Sequence, residues 1–72
     1  MMKLAKIEHD VFSEYYEGTN GTRKVTCILD SCCVRYTVLV PGKHGMKVAS
    51  RREYANGSEA RCFEAAEKAL NK

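Results

Sequence analysis

Residues 36–70 read YTVLVPGKHGMKVASRREYANGSEARCFEAAEKAL, and this stretch decides the fold. Side chains alternate with the period of a strand from Tyr36 to Val40, and the run stops at Pro41-Gly42. A second run, Met46 to Tyr54, follows the turn, so the sequence predicts a pair of adjacent strands. Gly57-Ser58 then opens an Ala-rich helix that we predict over 59–70.

The predicted helix is amphipathic. Its apolar stripe recurs at helical spacing and consists of Cys62, Ala65, Ala66, Ala69 and Leu70. Ser58 is a suitable N-cap residue, and Glu59 suits the positive end of a helix. Because the stripe is rich in Ala, we expect the helix to lie close against the sheet.

The residues before this stretch predict further strands. The segment from Thr22 to Asp30 carries apolar residues on both faces, which indicates a strand near the sheet centre. Asp30-Ser31 is the predicted turn into a strand from Cys32 to Val40. The run from Met46 to Tyr54 is polar and predicts an edge strand. Simple alternation would put Met46, Val48, Ser50, Arg52 and Tyr54 on one face and Lys47, Ala49, Arg51 and Glu53 on the other.

The N-terminal segment fits two interpretations. Leu4, Ile7, Val11 and Tyr15 recur at helical spacing, which predicts a helix over about 3–16. The residues around Tyr15 also favour a strand, and the Gly-rich stretch 18–21 is a good hairpin turn. The expected fold class is therefore α+β: a three-stranded antiparallel sheet packed by a C-terminal helix, with an N-terminal helix or a fourth strand.

Length and composition indicate one small domain that spans 1–72. The chain has 72 residues, of which 44% are hydrophobic and 29% charged, values that are ordinary for a globular protein. Its longest apolar runs fall well short of the ~20 residues that cross a bilayer, and its N-terminus does not resemble a secretory signal. We therefore expect a cytoplasmic protein without a membrane partner.

The charge distribution points to a polyanion ligand. The net charge is only +3, but residues 35–52 contain five Lys or Arg residues and no Asp or Glu. We expect these cations to share one exposed surface that no carboxylate neutralises. Tyr54 is the candidate for base stacking. The predicted nucleic-acid-binding residues are Arg35, Lys43, His44, Lys47, Arg51, Arg52 and Tyr54.

Catalytic and metal chemistry have little support in the sequence. His9 and His44 are isolated, and no nucleophile with a local base or Gly-rich phosphate loop is present. The four cysteines are Cys27, Cys32, Cys33 and Cys62, and they contain no CxxC pair. We expect reduced thiols with at least one of them buried, no metal, no cofactor and no enzymatic activity.

Two blocks of the chain resemble the double-stranded-RNA-binding domain. Residues 36–40 with Gly42-Lys43 are similar to its second strand and turn, and residues 65–70 are similar to the end of its second helix. This resemblance implies an α-β-β-β-α order. Where the family carries a pair of lysines at the start of that helix, this chain has Ser58 and Glu59. The β-β-β-α part also looks like the DNA-reading domains of AP2-type plant transcription factors and of integrase arm-binding domains. This resemblance implies contacts from the sheet by Arg35, Lys47, Arg51 and Arg52. Under it, Arg35 and Arg52 are candidates for base edges, and Lys43 and Lys47 suit phosphates.

Two classes of function remain from the sequence. The first is a small nucleic-acid-binding protein, for RNA or DNA. The second is a phage-type inhibitor that binds a bacterial defence or host protein complex, as anti-CRISPR proteins do. In that case the acidic residues Glu8, Asp10, Glu14 and Glu17 are an equally good contact surface, because they could occupy a nucleic-acid channel. A homodimer formed through the polar edge strand is compatible with either class.

Overall fold

A five-stranded antiparallel sheet with one helix is the architecture of the described chain. The computed structural model describes the backbone of residues 2–9 and 13–72 and the side chains of residues 2–7 and 13–72. The elements are β1 (Ala5–His9), β2 (Ser13–Asn20), β3 (Arg23–Asp30), β4 (Val34–Gly42), β5 (Gly45–Tyr54) and α1 (Glu59–Leu70). The sheet is a meander in the order β1-β2-β3-β4-β5. The sequence predicted a central strand, which is β3, an edge strand, which is β5, and the C-terminal helix, and these three predictions are confirmed.

The expected three-stranded sheet with an N-terminal helix is wrong. Two strands, β1 and β2, occupy most of residues 3–16, and β2 pairs with β3 along its whole length. Of the predicted helical stripe, Leu4 is buried, whereas Ile7 is 58% exposed and Val11 lies outside the described residues. Pairing with β3 outweighs this weak helical pattern, because it satisfies the backbone of β2 and places Tyr16 against Phe63 of the helix.

The core lies between α1 and one face of the sheet. Cys62, Ala66 and Leu70 are the fully buried residues of the helix, and they meet the central strands. The sheet contributes Val25 and Cys27 from β3 and Val34 and Val38 from β4, and Leu4 completes the cluster. Two of the three buried helix side chains, Cys62 and Ala66, are small, which permits the close approach of helix and sheet that the sequence predicts.

Side chains of β2 and β3 hold the C-terminal end of α1. The Asn20 amide donates to the Leu70 carbonyl at 2.8 Å, and the Arg23 guanidinium donates to the Ala69 carbonyl at 3.0 Å. A cation at this position is also favoured by the helix dipole. At the other end Ser58 is the N-cap residue as predicted, but its side chain makes no capping hydrogen bond. No helix in the described part of the chain has the length and apolarity that a membrane crossing requires.

A β-bulge in β5 decides which way its side chains point. Val38 pairs with Ser50, but the next residue, Leu39, pairs with Val48, so Ala49 is the extra residue. The expected simple alternation along β5 is therefore wrong. Lys47 pairs with Val40 and lies on the same side of the sheet as Arg52, whereas Met46 and Val48 lie on the opposite side. Both of these apolar side chains are about half exposed.

Gly18 gives a test of the packing between β2 and α1. A Cβ atom at this position would lie 2.7 Å from Leu70 Cδ2 and 3.3 Å from the Lys3 carbonyl oxygen. Because Leu70 is fully buried, it has little room to move. We expect Gly18→Ala to lower the free energy of unfolding by about 1–3 kcal/mol. Thr19→Ala, on the opposite face of the same strand, is the control. Urea denaturation measures the free energy of unfolding of both variants. An equal loss of this free energy in the two variants would contradict a close contact between Gly18 and Leu70.

The buried thiols give a second test. Cys27 and Cys62 are both fully buried with their Sγ atoms 3.9 Å apart, which confirms the expectation of an inward cysteine. Burial raises the pKa of Cys27 to about 12 and also raises the pKa of Cys62. Cys32 is exposed and Cys33 is partly exposed. We expect a disulfide reagent to modify only Cys32 and Cys33 in the native state, and Cys27 and Cys62 only after unfolding.

The same burial predicts a loss of stability at alkaline pH. The folded state favours the neutral thiol of Cys27, so its contribution to stability is complete below the unfolded pKa of about 9. It is then lost as the pH rises through the folded value of about 12. Urea denaturation across this range measures the effect. Cys32→Ala should retain it, and a Cys27→Ala variant with an unchanged alkaline profile would refute the assignment.

Candidate nucleic-acid interface

The sheet register separates the predicted cations between two faces. Arg52 lies opposite Tyr36, which in turn lies opposite Cys27 beneath the helix. Its neighbour Arg51 lies opposite Thr37, on the face that α1 does not cover. We call this uncovered side the open face. Since paired residues of antiparallel strands share a face, Arg51 and Arg52 point to opposite sides of the sheet.

On the open face one carboxylate, Glu53, lies within ion-pair distance of two of the predicted cations. Arg51 Nη2 lies 3.5 Å from Glu53 Oε1, and Arg35 Nη1 lies 3.8 Å from the same oxygen. The Arg35 side chain is only 28% exposed, so a ligand has limited access to it. The expectation of one shared surface without carboxylates is therefore wrong, because Glu53 directly follows the acid-free segment and faces the same way as Arg35 and Arg51.

On the helix side, cations converge in a groove between β5 and α1. Its volume is about 420 Å³. We call it the basic groove, and its lining residues are Arg52, Tyr54, Arg61, Glu64, Ala65 and Lys68. The lining thus carries three cations and one carboxylate. Glu64 Oε1 lies 3.8 Å from Lys68 Nζ, and both side chains are more than 70% exposed. Since one carboxylate offsets only one of the three cations, the groove keeps a net positive charge.

The helical repeat explains how α1 supplies its part of the basic groove. Arg61, Ala65 and Lys68 follow each other at i, i+4 and i+7, which places them along one flank of the helix. Ala65 has the smallest side chain of the three, so it leaves room between the two cations. The flank of the helix therefore places the charged groups of Arg61 and Lys68 on either side of Ala65.

An aromatic pair supports the β5 side of the basic groove. The Arg52 guanidinium lies 5.4 Å from the centroid of the Tyr54 ring, in a cation–π arrangement. The rings of Tyr54 and Tyr36 are 6.3 Å apart and tilted by 34°. Tyr54, which the sequence suggested for base stacking, thus orients Arg52 in this structure.

The remaining predicted site residues lie near the tip of the β4–β5 hairpin. Lys43 and His44 are exposed in the turn between these strands. Lys47 is exposed on the helix side, and its stem lies beside Gly42, where an added Cβ would meet Lys47 Cγ and Cδ at 3.2 Å. The structure therefore brings Arg52 and Tyr54 together, leaves Lys43, His44 and Lys47 exposed at the hairpin, and pairs Arg35 and Arg51 with Glu53.

Sequence reasoning missed Arg61 and Lys68. Both lie in the helix outside the acid-free segment, so a search for local charge density does not find them. The i, i+7 spacing of two cations beside the apolar stripe was the available signal. It becomes informative only once β5 is known to lie next to that flank, because Arg52 then completes the set.

Ion pairs also reduce the charge of the acidic N-terminal region. Glu14 Oε2 lies 2.7 Å from Lys6 Nζ, and Glu17 Oε1 lies 2.8 Å from Lys24 Nζ. The Glu8 side chain and Asp10 lie outside the described residues. Within the described part of the chain, no three side chains of His, Cys, Asp or Glu come close enough together to hold a metal ion.

Comparisons with protein-family models, with curated proteins and with solved structures find no match for this chain. They therefore provide no link to the double-stranded-RNA-binding domain. The implied α-β-β-β-α order also differs from the five strands and C-terminal helix described above.

Proposed function

We propose that this protein is a small, non-enzymatic nucleic-acid-binding protein and that the basic groove is its contact surface. The observation that carries the proposal is the convergence of Arg52, Arg61 and Lys68 from two elements on one groove with a single carboxylate. Three cations gathered on one groove suit a ligand with regularly repeated negative charges.

The contacts would be mainly with the sugar-phosphate backbone. Lys and Arg side chains supply most phosphate contacts in such complexes, and these contacts set affinity more than sequence preference. The exposed cations Lys43 and Lys47 at the β4–β5 hairpin could extend the contact along the strand. Because Tyr54 already contacts Arg52, its contribution is to hold that guanidinium in place.

The neighbours Arg51 and Arg52 give a matched pair of variants. Each change to Gln removes one charge from the same strand, but only Arg52 lines the basic groove. We expect Arg52→Gln to weaken binding by about 1 kcal/mol, roughly a five-fold rise in Kd. Arg51→Gln should leave Kd nearly unchanged. Fluorescence anisotropy with labelled single-stranded and duplex RNA and DNA of about 20 nucleotides measures both variants.

Arg61→Gln and Lys68→Gln are the corresponding variants on the helix. Each should weaken binding as Arg52→Gln does, with an unchanged thermal midpoint, because both side chains are exposed. Two outcomes would refute the basic groove as the interface: equal losses in the Arg51 and Arg52 variants, or the absence of binding to every oligonucleotide at low salt.

Salt dependence tests how many cations take part. Three phosphate contacts predict a slope of log K against log salt of about −2 for a single strand and about −3 for a duplex. Each groove variant should reduce the steepness by about one. Titrations between about 50 and 200 mM salt measure the slope. A slope that does not change in the Arg52→Gln variant would contradict a phosphate contact at this residue.

Inhibition of a protein complex is the second candidate, and the open face favours it. The charges on this face are largely paired, and Met46 and Val48 are 48% and 58% exposed beside them. A surface with balanced charge and exposed apolar side chains suits a protein more than a polyanion. Affinity capture from host lysate, with and without nuclease, separates the two classes. Capture that survives nuclease and is lost in a Val48→Lys variant would favour the inhibitor.

A further inference from the structure

We infer that a second groove, on the opposite flank of α1, binds a protein segment that presents Arg or Lys next to an apolar side chain. This groove lies over β2 and β3 and has a volume of about 400 Å³. We call it the acidic groove, and its lining residues are Tyr16, Leu29, Glu59, Ala60, Phe63, Glu64 and Glu67. Among their lining residues the two grooves share Glu64, and the inference does not depend on the proposed function.

The floor of the acidic groove is apolar. Tyr16 and Phe63 meet edge to face with their ring centroids 5.0 Å apart, and Leu29 and Ala60 extend this surface. All but Ala60 are partly buried, so they form a fixed floor with an accessible side. An apolar side chain of a partner would gain contact area there, because burial of apolar surface is favourable.

The charge of the rim decides which kind of partner fits. Three carboxylates line the acidic groove, and no Lys or Arg is among the described residues that line it. Glu67 Oε2 accepts a hydrogen bond from the Leu4 amide at 3.1 Å, and Glu59 Oε1 accepts one from the Gly57 amide at 3.3 Å. These neutral donors orient the two carboxylates but leave their charge in place. An anionic ligand is therefore repelled, and a cationic one is attracted.

Lys6 shows how a cation packs beside the Tyr16–Phe63 pair. Its Nζ atom lies 5.8 Å from the centroid of the Tyr16 ring and 2.7 Å from Glu14 Oε2. A lysine of the chain thus already combines cation–π and carboxylate contacts at one end of the same aromatic pair. A partner's Arg or Lys placed near Phe63 would find the equivalent combination with Glu59 or Glu67.

The two grooves can act separately despite their opposite charges. A helix with its side chains is about 10–12 Å across, and the Debye length in physiological salt is about 8 Å. Charges on opposite flanks of the helix are therefore largely screened from each other, with the exception of Lys68, whose Nζ lies 3.8 Å from Glu64 Oε1. Glu64 lines both grooves because it lies on the solvent side of α1, so it is not a suitable residue for telling them apart.

The test uses a labelled short peptide of alternating Arg and Leu as the probe, with the full chain. We expect saturable binding, and we expect the amide resonances of Ala60 and Phe63 to shift more than those of β5. A peptide in which Glu replaces Arg should not bind. The double variant Glu59→Gln/Glu67→Gln keeps both hydrogen-bond acceptors and should raise the Kd of the Arg peptide about three- to ten-fold.

Glu17→Gln/Glu53→Gln is the matched control, since it removes two charges from the open face instead. It should leave the Kd unchanged, and thermal melting checks that both double variants remain folded. Equal weakening in the two double variants, shifts spread over the whole surface, or displacement of the peptide by spermidine alone would overturn the inference. Arg52→Gln should not change the Kd of the Arg peptide, although it should weaken nucleic-acid binding. The inference about the acidic groove and the proposal about the basic groove can therefore fail independently of each other.

Discussion

The close contact of one helix with two strands determines the rest of this structure. Cys62, Ala66 and Leu70 fix α1 over β3 and β4, and all three are fully buried. Strands in a sheet are about 4.8 Å apart, so five strands are about 19 Å wide, while a helix is about 10 Å across. One helix cannot cover the whole face. The parts of the sheet left on either side of α1 become the two grooves, and their positions follow from the contact of the helix with the central strands.

Residues of α1 that are not needed for packing give the grooves their opposite charges. Arg61 and Lys68 lie on the flank towards β5, whereas Glu59 and Glu67 lie towards β2. Neighbouring strands add to this separation, with Arg52 on one side and the Tyr16–Phe63 pair on the other. A net charge of +3 describes neither surface. For a chain this small, the arrangement of charges around the helix tells more about its ligands than their sum does.

The sequence predicted the elements whose patterns are local. The helix 59–70, the central strand and the edge strand were recovered because each has its own periodicity and its own turn residues. The N-terminal helix was wrong because the local patterns of residues 3–16 fit both a helix and a strand, and the pairing of β2 with β3 decides between them. The faces of β5 were wrong because the bulge at Ala49 reverses the alternation, and an Ala in a polar strand gives no sign of a bulge.

The candidate interface was predicted incompletely for a similar reason, because the local sequence does not show which charged side chains meet in space. Residues 35–52 contain no carboxylate, but Glu53 is the next residue, and it is close enough in space to pair with both Arg35 and Arg51. The basic groove instead combines Arg52 with two helix residues from outside that segment. Ion pairs depend on which side chains meet in space, as Glu53 does with Arg51 on its own strand and with Arg35 on the next, so a count of charges in a sequence window does not identify which cations remain available to a ligand. In this protein, the cations of the basic groove lie between α1 and the side of β5 that faces the helix.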